Sequence, residues 1–301
     1  SSDLPWPKCA RRNPTKKGLG TWDWKNPKER HVLLRESRAV NKLIHLGRVC
    51  MLVYEKGSEL PQGHVQRCFR ARSVFLGDNV TDTWNNTAEM EGLGAATPEM
   101  ADSRCLDAKS LQPGWNCWIS DAESAYLQAY LGSKVPVWVE LPEEYWPKEW
   151  FGKYSRPMCQ LILALYGHED SGGYWEEHSY GHIEACGWTR VRSGVFSMLT
   201  LGALLMVYVD DFKLCCADKD YWELWKPLRE RLTLSDPMPE PVPEPEPMPE
   251  SMPESMPESM PEPVPESVPE SVPGPMPEVS KIFLARVRGF KKLRACARAR
   301  A

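Results

Sequence analysis

The 301-residue sequence has no apolar run long enough to cross a bilayer. Its longest, residues 195–209, falls short of the roughly 20 residues that a spanning helix needs, so no membrane span is expected. The first residues show no charged-then-apolar leader, and no signal peptide is expected. The ten cysteines include no Cys-x-x-Cys pair and none at zinc-finger spacing. That argues against a disulfide framework and for free thiols in a reducing, intracellular compartment, cytoplasmic or nuclear. HExxH is also missing: His178 and His182 have its spacing, but residue 179 is Ser, so the pair reads as a solvated or packed helix face. Charge of one sign is absent locally. Residues 237–278 hold ten Glu and no Lys or Arg, whereas residues 279–301 hold eight Lys or Arg and no acid. The formal net charge of −4 therefore conceals a nearly neutral remainder and says nothing about partners.

What is present falls into four parts. Residues 1–28 are rich in Pro, Lys and Trp without periodicity and read as a loose lead-in. Residues 29–236 carry alternating helix and strand signals. The spacing of Val32, Leu33, Val40, Leu43 and Ile44 predicts an amphipathic helix over 29–44. Runs 48–55 and 65–76 predict an antiparallel hairpin whose second strand puts Arg70 and Arg72 on one face. Thr97-Pro98-Glu99 reads as a helix start with Thr97 as N-cap and a helix running to about 110. Residues 117–120 form a short apolar strand leading into Asp121, followed by helical spacing over 122–131. A strand or short helix ending at Tyr166, a turn at Gly172-Gly173 and a helix over 174–186 come next, and 221–234 is amphipathic. In 237–278, sixteen of 42 residues are Pro. That composition forbids helix and sheet and predicts an extended, disordered, polyproline-like linker. Residues 279–301 read as a basic amphipathic tail able to contact nucleic acid or an anionic surface.

The most informative stretch is TLGALLMVYVDDFKLCC, residues 200–216. Two apolar strand-length runs flank Asp210 and Asp211, the pattern of a buried hairpin with two carboxylates at its tip. Adjacent acids there call for a cation, and hard Mg²⁺ suits carboxylate oxygens while leaving room for phosphates. Cys215 and Cys216 fall on opposite strand faces and read as packing.

Four blocks, in order, resemble the reverse transcriptase of copia-type LTR retrotransposons, part of their Pol polyprotein. FRARSVFLG (69–77) is similar to that family's FKARLVARG, SDAESAYL (120–127) to MDVKTAFL, and LYGHEDSGGYW (165–175) to LYGLKQAPRAW at its ends and in length; YVDDFKL (208–214) is the fourth. The resemblance covers about residues 29–236. It implies an α+β fold, the fingers and palm of a polymerase with an antiparallel palm sheet and helices on one face. The thumb and RNase H would be lacking.

It also implies two-metal nucleotidyl transfer on a primed RNA or DNA template with deoxynucleoside triphosphates. Asp121, Asp210 and Asp211 would be catalytic and would hold Mg²⁺, or Mn²⁺, with the Ala122 carbonyl. Arg70 and Arg72 would meet the triphosphate, Tyr208 the primer end, and Tyr126 the ribose as a steric gate, a core aromatic being its alternative reading. Glu169, Asp170 and Gly173 stand where the family has Lys, Gln and Arg, acids that would repel a triphosphate. The other functional reading is a decayed, inactive retroelement remnant that binds nucleic acid or acts through its Pro/Glu and basic tails. Oligomeric state is not indicated.

Overall fold

A computed structural model describes residues 20–241. The chain divides into two units, Ser1–Pro243 and Glu244–Ala301, and every described residue belongs to the first. The basic tail and all but the first residues of the Pro/Glu linker thus lie outside the described residues, as does most of the lead-in. In chain order the elements are β1 (Lys28–Glu29), α1 (Arg30–Ala39), β2 (His45–Lys56), β3 (Cys68–Phe75), α2 (Met100–Ser110), β4 (Trp115–Asp121), β5 (Val137–Glu140), β6 (Pro157–Gln160), α3 (Ser171–Ala185), β7 (Thr189–Arg192), β8 (Val195–Met198), β9 (Ala203–Tyr208), β10 (Asp211–Ala217), α4 (Tyr221–Arg231) and β11 (Met238–Pro239). No helix among the described residues is long and apolar enough to cross a membrane.

The class is α+β, with two sheets. A five-stranded sheet runs β1-β6-β5-β2-β3, and a six-stranded sheet runs β11-β4-β10-β9-β8-β7. The larger sheet is antiparallel throughout. The smaller contains one parallel pair, β2 with β5. The expected hairpin is β2 with β3, longer on its first strand than its sequence pattern suggests.

The six-stranded sheet buries both faces, because its strands alternate two apolar sets. Leu205, Val207, Phe212, Leu214 and Cys216 pack with Trp175 and Ile183 of α3 and Trp225 and Leu228 of α4. Cys117, Cys215 and Met206 face the other way and pack with Leu106 of α2. Helices therefore lie on both faces, not one. Lys213, on the α2 face, shows why a charge fits inside that apolar strand. Its ammonium pairs with Asp107 and, at 2.7 Å, with Glu240, and donates to Ser103 Oγ at 3.2 Å. Burial opposes the charged form, but these carboxylates outweigh it and raise the Lys213 pKa.

Several sequence expectations are corrected. The lead-in is ordered from its twenties: Trp22 is 1% exposed, bridges Leu161 and stacks on Tyr145 at 6.1 Å. Large aromatics anchor a chain without any periodicity. Helix α1 stops at Ala39 because Asn41 takes φ 51° and turns the chain, so that Ile44 is buried just before β2. Glu99, not Thr97, precedes the first turn of α2, and its N–H is taken by Asp102 at 2.8 Å, half of a capping box. The helix expected over 122–131 is a single 3₁₀ turn, Ala125–Gln128. Ser124 enters it at φ 56°, and the chain then straightens so that Tyr130 bridges Leu163.

The fold also passes residue 236. β11 pairs with β4, and the Glu240 N–H reaches Cys117 O at 2.8 Å, so the linker's first residues form a sheet edge. Pro239 is tolerated there because an edge strand leaves one side unpaired.

Gly172 and Gly173 lie inside α3 instead of in a turn before it. A Cβ on Gly173 would come within 2.7 Å of Leu93 Cβ. Gly173→Ala is expected to cost about 1–3 kcal/mol by overpacking, measured by denaturant unfolding, despite the better helix propensity of Ala.

His168 is buried against the Phe75 ring at 5.1 Å, and burial holds its pKa below the usual value although Asp170 works against it. The unfolded chain therefore binds the extra proton first, and stability falls as pH drops through about 6.5. The thermal midpoint should be higher at pH 7.5 than at pH 5.5, and His168→Asn should narrow that difference.

Candidate active site

The site is set by the register of three strands. β9 and β10 are paired so that Tyr208 faces Asp211, leaving Val209 and Asp210 as a two-residue turn. Tight hairpins of this length need positive φ at the first turn residue, and Val209 has φ 57°. A β-branched residue is strained there. The Trp175 indole N–H, from α3, donates to the Val209 carbonyl at 2.6 Å and holds the turn.

On the other side, β10 pairs with β4 so that Asp211 stands opposite Asp121, and the Ala122 N–H donates to the Asp210 carbonyl at 2.6 Å. Asp121, Ala122, Asp210 and Asp211 thus meet at one end of the sheet, although the first aspartate and the second are 89 positions apart in the sequence. Directly opposed residues have Cβ atoms about 4.5–5.5 Å apart, and like charges so placed repel. Asp121 and Asp210 are exposed and make no side-chain hydrogen bond or ion pair with any described residue. Hard carboxylate oxygens without an internal cation suit Mg²⁺ or Mn²⁺. The fit is incomplete in one respect. Among the described residues, the group whose ligand atoms all lie within 4.8 Å of one another is Asp107, Cys117 and Glu240, not the three aspartates. Lys213 already supplies the cation of that group.

An aromatic path leads from the acids to the β2–β3 hairpin. Tyr126 is half-buried, its ring 4.8 Å from that of Tyr166. Burial, then the Asp210 and Glu176 carboxylates, raises its pKa. Arg72 lies over Tyr166 at 5.7 Å and over Tyr54 at 5.5 Å. Arg70 is exposed, two residues nearer the hairpin tip opposite Tyr54, and has no side-chain partner among the described residues. The structure thus brings Arg72 into the aromatic path and leaves Arg70 outside it.

Asp170 does not face this surface. It is 1% exposed, and its carboxylate accepts the N–H groups of Glu91 at 3.0 Å and Leu93 at 2.8 Å. It fastens the 91–93 loop, so of the two acids expected to repel a triphosphate only Glu169 is exposed. His178 and His182 pack edge to face at 4.6 Å, and burial lowers the His178 pKa.

Sequence reasoning missed Ser235. Its Oγ accepts the Asp121 N–H at 2.9 Å and its carbonyl accepts Ser120 Oγ at 2.8 Å, tying the chain after α4 to the strand that carries the first aspartate. No local pattern marks it. Trp175 stood in a recognisable block without a role.

No protein-family model matches this chain, and no curated protein matches it.

Val209→Gly is expected to relieve the turn and stabilise the fold by about 1 kcal/mol in denaturant unfolding. Trp175→Phe, which keeps the ring but not the donor, should destabilise it by about 1 kcal/mol.

Proposed function

We propose that residues 29–236 act as the fingers and palm of a copia-type RNA-directed DNA polymerase, with deoxynucleoside triphosphates and a primed RNA or DNA template as substrates. The observation that carries this reading is the β4–β10 register, which sets Asp121 against Asp211 with Asp210 on the adjoining turn. In-line phosphoryl transfer demands charge and positioning more than covalent work from the protein, and this rim offers both.

Asp121, Asp210 and Asp211 would hold Mg²⁺ or Mn²⁺, with the Ala122 carbonyl as a further ligand. The bound metal supplies charge neutralisation and activation of the attacking hydroxyl. Arg72, oriented by Tyr54 and Tyr166, presents its guanidinium to phosphate oxygens. Tyr126 borders the nucleotide sugar between Tyr166 and Asp210, and Tyr208 flanks the primer end. Arg70 contributes charge from the hairpin's outer part.

One observation favours a second reading, a non-catalytic remnant that binds nucleic acid: the three aspartates are not the carboxyl group set gathered within 4.8 Å. The two readings separate in primer extension by the full chain with Mg²⁺ and with Mn²⁺. The polymerase reading expects extension that Asp210→Asn reduces at least about 100-fold, the scale of losing a principal charge-stabilising group. Folded wild-type protein that extends no primer with either metal supports the remnant.

A further inference from the structure

A groove of about 320 Å³ opens beside α4, lined by Trp222, Lys226, Arg229, Glu230 and residues 232–234. Its wall adjoins the candidate active site. The Thr233 carbonyl accepts the Glu123 N–H at 2.9 Å, and Leu234 bridges Ala122, the residue after Asp121.

Three features mark this groove. Trp222 is 47% exposed, its ring edge to face with Tyr221 at 6.4 Å. The Arg229 guanidinium lies over that indole at 5.7 Å while also pairing with Asp236 at 2.6 Å. Lys226, one helical turn from Trp222, is exposed and makes no ion pair with any described residue. Glu230 is the carboxylate in the lining. A half-exposed indole, with Arg229 over it and the Lys226 ammonium one helical turn away, combines the groups that hold single-stranded nucleic acid, since every base has a face to stack and every nucleotide a phosphate.

We infer that this groove holds one nucleotide of a single strand, its base stacked on Trp222 and its phosphate on Lys226. The inference rests on the polymerase reading only for the source of the strand. Trp222 and Lys226 are positioning residues and touch no reacting atom.

The test is fluorescence anisotropy of a labelled 20-nucleotide oligo(dT) with the full chain, without metal or deoxynucleotides. Trp222→Ala should weaken binding roughly 5- to 100-fold, the span of one lost stacking contact. Trp222→Phe, which keeps an aromatic face, should recover most of that loss. Lys226→Ala should lower the salt slope by about 0.7, one phosphate contact on a single strand. Wild-type affinity in Trp222→Ala, equal weakening in Trp222→Phe, or no oligo(dT) binding by wild type overturns the inference. Trp222-dependent binding without primer extension leaves the groove standing and removes the polymerase. Extension together with Trp222-independent binding does the reverse.

Discussion

The pairing of β4 with β10 is the constraint on which the rest depends. It is an in-register ladder from Asp211 opposite Asp121 to Ala217 opposite Trp115. Because side chains alternate along a strand, this one register assigns Phe212, Leu214 and Cys216 to the face covered by α3 and α4. It sends Lys213, Cys215 and Cys117 to the face covered by α2. A slip of one residue would exchange the two sets. The acids reach the open end of the sheet because the apolar residues behind them have been claimed by helices on both sides.

Two charged arrangements of this sheet behave differently. At Lys213 the cation is built in, and Asp107 and Glu240 satisfy it. At Asp121 and Asp210 carboxylates gather without one. Buried charge is tolerated when paired and hydrogen-bonded, whereas the opposed Asp121 and Asp211 are brought together by the backbone register, and like charges so placed repel. The strained turn at Val209, fixed by the Trp175 indole, is a second local cost concentrated at this end. Local strain gathered where acids are exposed is the pattern of a functional site.

Much of this was legible in the sequence. The β2–β3 hairpin, β4 and the β9–β10 hairpin have strand-length apolar patterns, whereas the meeting of Asp121 with the hairpin tip was implied only by the family resemblance. What could not be read was set by tertiary contacts. Residues 122–131 have helical spacing, yet Ser124 at positive φ and the pairing of Tyr130 with Leu163 leave a single 3₁₀ turn. Gly172-Gly173 looks like a turn until Leu93 is seen to press on it. Asp170 looks like a surface acid until its two backbone donors are found 77 and 79 residues away. Glu240 belongs by composition to the linker, but its partner Lys213 draws it into the fold.

The most direct test of the central claim is Mn²⁺ titration followed by electron paramagnetic resonance, comparing wild type with Asp121→Asn and Asp211→Asn. If the β4–β10 register builds one site from both strands, each substitution alone should weaken Mn²⁺ binding about tenfold or more, as removal of a ligand does. Binding that depends on Asp211 but is indifferent to Asp121 would contradict the account.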